Sequence, residues 1–282
     1  MDKNTAWDWE IKPRARWFNF NLRELLQYKD LLFRFVRRDI LISYQQTILG
    51  PVWVFLQPLL TTLVYFIIFT RIAKISTDNI PPILFYLPGA IIWTYFSECL
   101  NGTMNTFVNN AYIFRKVYFP RLITPLANVF FHSFRLAIQL VLFFVVYIFF
   151  AITQHNVTPS WWILLLPVLI LITALFALGL GLMISVFTAK YRDIDNMLQF
   201  ILRLFMFATP VVYPISIVPE KYRILFWLNP LTPVIETFRA GFFQPNIVHI
   251  KYLLLSILSV LVIMIIGLTL FRKNENEVMD VI

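Results

Sequence analysis

The chain has 282 residues, of which 59% are hydrophobic and 14% charged, against about 45–50% apolar and about 25% charged residues in an ordinary soluble domain. With a mean hydropathy of +0.73, too few polar residues remain to cover a soluble surface, so we expect a surface that faces lipid. The single cysteine, Cys99, excludes a disulfide scaffold. The net charge of +9 is typical of a nucleic-acid binder among soluble proteins and of basic cytoplasmic loops among membrane proteins.

The N-terminal region carries polar and amphipathic signals before any long apolar stretch. Residues 1–21 contain no apolar run, so they are predicted to form a cytoplasmic segment and not a signal peptide. From Leu22 to Ser43, apolar residues recur on one helical face and charged residues on another. This pattern predicts an amphipathic interface helix over residues 22–48. Its basic face suits anionic lipid headgroups or an acidic groove on a cytoplasmic partner, and a plain surface anchor is the alternative.

Six apolar stretches follow, each near the roughly 20 residues that cross a bilayer. They are Val52–Thr70, Leu84–Leu100, Leu122–Phe150, Trp161–Thr188, Met197–Tyr213 and Ile250–Phe271. The predicted fold class is therefore all-α integral membrane, with a transmembrane domain of six helices over residues 49–272. Residues 273–282 are predicted to be a cytoplasmic tail.

The distribution of basic residues predicts the orientation of these spans. An even number of spans places both chain termini on one side, and Lys and Arg concentrate on the cytoplasmic side. Basic residues are frequent before the first span, between spans two and three, and in the tail, and they are sparse in the intervening loops. Both termini are expected in the cytoplasm. The positive charge then reflects topology, and no nucleic-acid partner is expected.

The segment from Thr209 to Pro245 is too apolar for a free loop and too rich in proline for one spanning helix. Proline removes a backbone donor and interrupts helices. Irregular backbone at membrane depth occurs only where protein or a watery cavity surrounds it. We therefore predict re-entrant helices between spans five and six at the outer face. A loop packed on the outer surface is the alternative.

Recognisable catalytic and nucleotide-binding motifs are absent from the sequence. There is no Walker-type glycine loop, and the three histidines are far apart without Cys or Glu at metal-ligand spacing. We expect a chain that is not an enzyme and holds no cofactor or metal. Glu98 and Arg135 lie within or at the edge of predicted spans, where an ionisable group requires a partner, an interface or water.

Four segments carry a family resemblance. They are Arg38-Asp-Ile with Tyr44, Thr47-Ile-Leu-Gly-Pro-Val-Trp and Gln57-Pro58; Asn109–Arg121; Lys190-Tyr-Arg-Asp193; and Thr209-Pro-Val-Val-Tyr-Pro214 with Leu228-Asn-Pro-Leu-Thr-Pro233. In this order, on a topology of six spans, they resemble the permease subunits of ABC type-2 exporters for bacterial surface polysaccharides. That group exports O-antigen, capsule or teichoic-acid chains. The resemblance extends from about Leu25 to Phe271.

The resemblance implies partners and a cargo. Two copies of the chain would surround one conduit in the bacterial inner membrane, docked on two copies of a cytoplasmic subunit that binds ATP and magnesium. The implied cargo is a lipid-linked polysaccharide of O-antigen type, moved from the cytoplasmic to the outer face. Aromatic ring faces stack on sugar rings without fixed hydrogen-bond geometry, so an aromatic lining suits such a conduit.

The resemblance also assigns residues to three roles. Those implied in ATPase coupling are Arg37, Arg38, Asn109, Phe114, Lys116, Tyr118, Phe119, Arg121, Tyr191, Arg192 and Asp193. Within this set, aromatic side chains would anchor in an ATPase cleft, namely Phe114, Tyr118 and Phe119, and basic ones would contact its acidic residues, namely Lys116 and Arg121. The cationic group of Arg37, Arg38 and Arg192 would lie near the diphosphate linker of the cargo. The implied outer gate comprises Pro210, Tyr213, Pro214, Asn229, Pro230 and Pro233. The candidates for lining the conduit are Trp53, Tyr65, Trp93, Tyr95, Glu98 and Arg135.

Two other functions are compatible with a chain of this composition. A secondary transporter or channel with broken helices needs paired ionisable residues at the midplane and preferably an internal repeat, and neither is evident. A membrane-embedded glycosyl or lipid transferase needs clustered carboxylates or histidines at the membrane surface. Asp193 with Asp195 is the one candidate pair for that chemistry.

Overall fold

The computed structural model describes residues 22–45, 50–153, 159–191, 193–243 and 248–281. Among these residues every regular element is helical, which confirms the predicted all-α class. The helices are α1 (Leu22–Gln27), α2 (Lys29–Tyr44), α3 (Gly50–Tyr65), α4 (Pro82–Met104), α5 (Thr106–Phe114), α6 (Ile123–Thr153), α7 (Leu166–Lys190), α8 (Asp193–Phe207), α9 (Glu220–Leu228), α10 (Leu231–Phe243) and α11 (Ile250–Val281). Predictions on residues 1–21, on Thr47, Ile48 and Leu49, on Arg192 and on Pro245 lie outside the described residues.

Short segments of other helix types extend two of the long helices. Phe66–Ile72 continues α3 as a π-helix, and Trp161–Leu165 leads into α7 as a 3₁₀-helix. A further 3₁₀ turn, Ile215–Ile217, lies between α8 and α9. The predicted interface helix consists of α1 and α2, which ends at Tyr44, where the backbone of the next residue becomes extended.

Five helices in the described part of the chain are long and apolar enough to cross a membrane. They are Val52–Ile72, Pro82–Met104, Ile123–Thr153, Trp161–Lys190 and Ile250–Glu275. These helices correspond to the predicted spans one, two, three, four and six.

The predicted fifth span, Met197–Tyr213, has a different structure. Helix α8 has 15 residues, or about 22 Å at 1.5 Å per residue, which is less than the roughly 30 Å hydrocarbon core. The helix ends at Phe207, and irregular backbone with Pro210 and Pro214 follows because proline cannot continue the hydrogen-bond ladder. Six continuous spanning helices are therefore not confirmed.

Helix α4 forms the centre of the bundle and is buried along most of its length. It packs against α6 and α7, and α7 in turn packs along α11. Gly179 makes that second contact close, because a Cβ atom there would lie only 2.9 Å from the Cα atom of Met264. Small residues at such crossings let helix backbones approach in a membrane.

Consecutive long helices alternate in direction, so their termini gather at two ends of the bundle. We call one the α5 end: it holds α2, α5, the last turns of α4 and α11 and the first turn of α6. There Arg121 pairs with Glu275, with 3.5 Å between Nε and Oε1. We call the other the α9 end: it holds α9, α10 and the first turns of α4 and α11. There Ser256 donates to the Pro230 carbonyl at 2.8 Å.

Candidate functional site

Phenylalanine rings fix α5 and its connection to α6 at the α5 end. Phe107 stacks on Phe271 of α11 with centroids 4.9 Å apart. Phe119 lies 5.5 Å from Phe114 and 5.7 Å from Phe35 of the interface helix. All five rings are buried. The α5–α6 connection is thereby attached to α2 on one side and to α11 on the other.

The burial of these rings corrects part of the predicted coupling set. Phe114 and Phe119 are 9% and 4% exposed within this chain, so they are not available as anchors in a partner's cleft. A connection that turns from α5 into α6 must bury its inward side chains, and these two residues occupy that side. Tyr118, between them, is 86% exposed, and Tyr112 and Val117 are exposed with it.

The basic residues of the α5–α6 connection differ in what their side chains contact. Arg121 also donates to the main-chain carbonyl of Glu275, so its guanidinium is committed to α11. Lys116 is exposed, donates to the Tyr112 hydroxyl and lies 4.0 Å from the centre of that ring. Asn109, Lys116 and Tyr118 are therefore the members of the predicted set that this element exposes.

The interface helix brings two further predicted coupling residues together. Arg38 pairs with Asp39, with 2.8 Å between Nε and Oδ1, and its guanidinium lies 4.8 Å from the centre of the Phe35 ring. Arg38, Asp39 and Asn109 line one small cavity of about 200 Å³ between α2, α5 and α6. Arg37 stays exposed on α2.

Helix α8 begins at the same end and is attached to α4 by side-chain amides. Asn105 donates to Asp195 at 2.9 Å, and Gln199 donates to Asn101 at 2.8 Å. Neither contact has a signal in the sequence, because the residues are 90 and 98 positions apart. Tyr191 and Asp193, two predicted coupling residues, are exposed beside this junction.

Glu98 explains the position of Arg135. Its carboxylate accepts from Arg135 through Oε1 at 2.9 Å and contacts His132 Nδ1 through Oε2 at 3.1 Å. The cluster joins α4 to α6, and each of its side chains is largely buried. An ionisable group at this depth requires such a partner, and Glu98 and Arg135 provide it for each other.

Arg239 organises the α9 end, although no sequence pattern singles it out. The side chain is 3% exposed. It donates to the carbonyls of Phe85, Pro210 and Val211 at 3.2, 2.8 and 2.8 Å, and to Glu236 at 2.9 Å. Its guanidinium also lies 3.8 Å from the centre of the Phe85 ring. One residue of α10 thus holds the irregular backbone after α8 against the first turn of α4.

Gly89 makes room for this arrangement. A Cβ atom there would lie 3.0 Å from the Val211 carbonyl oxygen and 3.1 Å from Arg239 Nη2. The backbone after α8 therefore approaches α4 more closely than a side chain at position 89 would allow. Because glycine has no Cβ atom, position 89 can be part of α4 and still leave room for the turn packed on it.

The predicted gate residues form a second group of contacts nearby. Asn229 donates to the Thr209 hydroxyl at 2.8 Å and accepts from the Leu231 backbone at 3.1 Å, so it links the α9–α10 junction to the end of α8. Tyr213 donates to the Phe207 carbonyl. The four remaining gate residues are Pro210 and Pro230, whose carbonyls accept the bonds described above, and Pro214 and Pro233, which are buried. Among these contacts, the Asn229 bond to Thr209 joins the two segments that carry the predicted gate residues, and their role as a gate stays a prediction.

Comparison with known proteins identifies the family. The model of the ABC-2 type transporter family matches residues 30–243. The chain belongs to this family. It is 27% identical to the O-antigen export system permease protein RfbA of Myxococcus xanthus, over 91% of this chain and 96% of that protein. It is 24% identical to the polysialic acid transport protein KpsM of Escherichia coli, over 86% of this chain and 92% of that protein.

The predicted conduit residues of this ABC-2 chain have different surroundings. Tyr95 is 1% exposed and shares a 2.8 Å hydrogen bond with Ser133. Trp93 is also buried, with its ring centroid 5.9 Å from that of Phe205. Both side chains are buried within one chain because α4 lies at the centre of the bundle, and their place in a conduit between two copies stays a prediction. Tyr65 donates to Met206 at 3.2 Å, and Trp53 is exposed and lines a cavity of about 470 Å³ with Arg135.

Proposed function

We propose that this ABC-2 chain is the transmembrane subunit of an ATP-driven exporter of a lipid-linked polysaccharide of O-antigen type. The observation that carries the proposal is the match to an O-antigen export permease over 91% of this chain and 96% of that protein. Other relatives are named as polysialic acid and capsule polysaccharide export proteins. Their cargoes share the chemistry of long, hydrophilic sugar chains.

The proposed topology has six crossings with both termini in the cytoplasm. Helix α8 is too short to cross alone, and in our proposal the irregular backbone after it, Ala208–Pro214, completes the crossing to the α9 end. The α5 end is then cytoplasmic. Its exposed basic residues, Lys116 and Arg37 among them, support this orientation, since positive charge concentrates on that side.

The α9–α10 segment is proposed as a re-entrant outer gate. Ser256, which bonds Pro230, is six residues into α11 from Ile250, or about 9 Å along the helix axis. Gly89, which contacts the turn after α8, is at a similar distance into α4. The α9–α10 junction would thus reach below the outer ends of its neighbours, where protein surrounds the irregular backbone.

The conduit in this proposal lies between two copies of the chain. Trp93 and Tyr95 pack inside one copy, so a pathway must be built from outward-facing side chains. Helices α3 and α8 supply such faces, with Leu63, Phe200 and Leu204 exposed among others. Dimerisation along these faces would enclose a shared space.

The proposed coupling surface is the exposed part of the α5–α6 connection. Tyr118 and Lys116 would contact a separate ATP-binding subunit, which holds ATP and magnesium. A displacement of this connection would reach the interface helix through the Phe119–Phe35 contact and α11 through the Phe107–Phe271 contact. Packed elements shift as rigid bodies, so these ring contacts are suited to passing the movement on.

The experiment combines gene deletion with purification from the native host. Deletion should remove the polysaccharide from the cell surface and leave lipid-linked polymer inside, and the tagged chain should copurify with a vanadate-sensitive ATPase. A deletion strain with unchanged surface polysaccharide, or a chain that purifies without any ATPase, would overturn the proposal. The transporter and transferase alternatives are not favoured, because the relatives are export permeases and Asp195 is held by Asn105.

A further inference from the structure

A cavity of about 450 Å³ opens at the α9 end, between α9, α10, the start of α11 and the loop before α4. Its volume falls within the roughly 300–1,000 Å³ of small-molecule sites. Arg239 and Asn229 can make the hydrogen bonds described above without an open space beside them. The gate contacts therefore do not explain why this cavity is present.

The first feature of the cavity is an aromatic wall. Trp227 is 8% exposed and stacks on Tyr252 of α11, with centroids 4.5 Å apart and an interplanar angle of 10°. His249 lies against the same indole ring at 5.0 Å. All three side chains line the cavity. Buried Trp227 thus fixes the more exposed rings of Tyr252 and His249, and a rigid aromatic surface of this kind suits the apolar C–H face of a sugar ring.

The second feature is a set of polar groups held in place by the chain itself. Ser216 donates to Asp78 at 2.9 Å, while Arg223 donates to the carbonyls of Val218 and Ser216 at 2.8 and 2.9 Å. Glu236 accepts from Arg239 through Oε1. A carboxylate has about four acceptor sites, so Glu236 retains capacity for further donors. Sugar hydroxyls both donate and accept, and they match such a set of carboxylates and guanidinium groups.

The backbone at the edge of the cavity is also constrained. Asp78 has a φ angle of 50° and Asn79 of 63°, a left-handed conformation that Asp and Asn adopt more often than other non-glycine residues. Surrounding contacts hold this turn at the edge of the cavity. The Ser216 bond to Asp78 is one such contact.

The charges that line the cavity select among saccharides. The acidic residues are Asp78, Glu220 and Glu236, and the arginines are Arg223 and Arg239, which gives a formal charge of −1 with His249 neutral. Each arginine pairs with one of the glutamates. The remaining negative charge disfavours an anionic sugar, because like charges repel strongly in a partly enclosed site.

We propose that this cavity binds an uncharged segment, one or two sugar units long, of the exported polysaccharide at the outer face. The inference rests on the proposed export function, which supplies the saccharide. Binding is weak, since a conduit must release what it binds if the chain is to move on. The cavity would hold the emerging polymer beside the gate between successive cycles.

The test is equilibrium dialysis with the full chain, copurified with its ATP-binding partner in lipid nanodiscs. The probe is a tagged mono- to trisaccharide fraction, cut from the host's own surface polysaccharide, and a sialic acid dimer is the anionic counterpart. Glu236→Gln and Trp227→Leu should each raise the Kd for the host fraction by about tenfold, the loss of one good contact. Trp161→Leu, an exposed tryptophan at the same end, should leave it unchanged.

Glu236→Gln keeps the side-chain volume but removes the charge that pairs with Arg239, so thermal unfolding of each variant is measured beside binding. Tyr252→Leu, at a half-buried ring of the same wall that does not contact this pair, should raise the Kd by a similar factor, so a folding defect in the other two variants does not decide the result. The inference would be overturned if binding did not saturate at saccharide concentrations up to about 10 mM, where even very weak recognition would be detected. Equal Kd values in all variants would overturn it as well. Equal binding of the sialic acid dimer would overturn the predicted selectivity. Dialysis does not depend on transport, so these outcomes are separate from loss of surface polysaccharide in the deletion strain, which tests export itself.

Discussion

The two ends of this bundle are held together by different forces. At the α5 end, Phe119 lies 5.5 Å from Phe114 and 5.7 Å from Phe35, and Phe107 stacks on Phe271 at 4.9 Å. At the α9 end, Arg239 bonds three main-chain carbonyls and one carboxylate. Aromatic contacts vary gradually with distance and angle, whereas hydrogen bonds weaken steeply once their angle is lost.

This difference suits the two proposed roles. Ring packing at the α5 end keeps α2, α5 and α11 in contact while they move together, which is what a coupling element requires. The Arg239 bonds are lost once their geometry is lost, so they hold the backbone after α8 in one defined arrangement. The proposed gate needs such a discrete arrangement, because it must differ between two states.

The largest effect is expected from Arg239→Met. It removes four hydrogen bonds and leaves Glu236 without its buried partner, so the free energy of unfolding should fall by about 3–5 kcal/mol. Chemical unfolding in mixed micelles measures the loss. Arg223→Met, at a more exposed arginine of the same end, should cost about 1 kcal/mol. Adding Glu236→Gln to Arg239→Met should recover part of the stability, and equal losses for both arginines would contradict the central role of Arg239.

At the α5 end, two neighbouring residues should separate stability from coupling. Phe119→Ala deletes a buried ring and should lower the free energy of unfolding by about 3 kcal/mol. Tyr118→Ala removes an exposed ring and should change stability by less than about 0.5 kcal/mol, yet lower ATP-driven export. The measurements are unfolding of the purified chain and surface polysaccharide per cell. If Tyr118→Ala exported normally, Tyr118 would not belong to the coupling surface.

The sequence predicts the class of the fold and the position of both sites, but not which residues carry the contacts. Apolar length identifies α4 and α11, and proline spacing identifies the α9–α10 segment. Phe119 faces inward because α2 packs over the short connection that carries it. The periodicity of a few residues cannot predict that tertiary contact. Arg239 has one partner within its own helix, Glu236 three residues earlier, but its other acceptors come from α4 and from the turn after α8, which local sequence spacing does not reveal.

A smaller effect at the α9 end should follow from Gly89→Ala. Alanine normally favours a helix over glycine, but here the added Cβ would meet the Val211 carbonyl oxygen and Arg239. The turn must shift, and stability should fall by about 1–3 kcal/mol. The control is Gly241→Ala in α10, where the nearest atom would be an ordinary 3.4 Å away. A loss as large in the control would mean that close approach at Gly89 is not the cause.

The smallest effect on stability, with a clear effect on function, is expected from Lys116→Glu. The side chain is exposed and its described contacts are to Tyr112, four residues earlier at the end of α5, so the free energy of unfolding should change by less than about 0.5 kcal/mol. An exposed ion pair contributes about 0.2–1 kcal/mol. Reversing the charge replaces attraction by repulsion, so affinity for the ATP-binding subunit should fall by about tenfold.

Lys251→Glu is the matched control at the α9 end, because Lys251 is also an exposed lysine. It should leave affinity for the ATP-binding subunit unchanged if that subunit docks at the α5 end alone. Titration of the purified subunit against both variants in nanodiscs measures the difference. If Lys251→Glu weakened binding of the ATP-binding subunit and Lys116→Glu did not, the proposed orientation would be reversed, and the α5 end of the bundle would be the outer one.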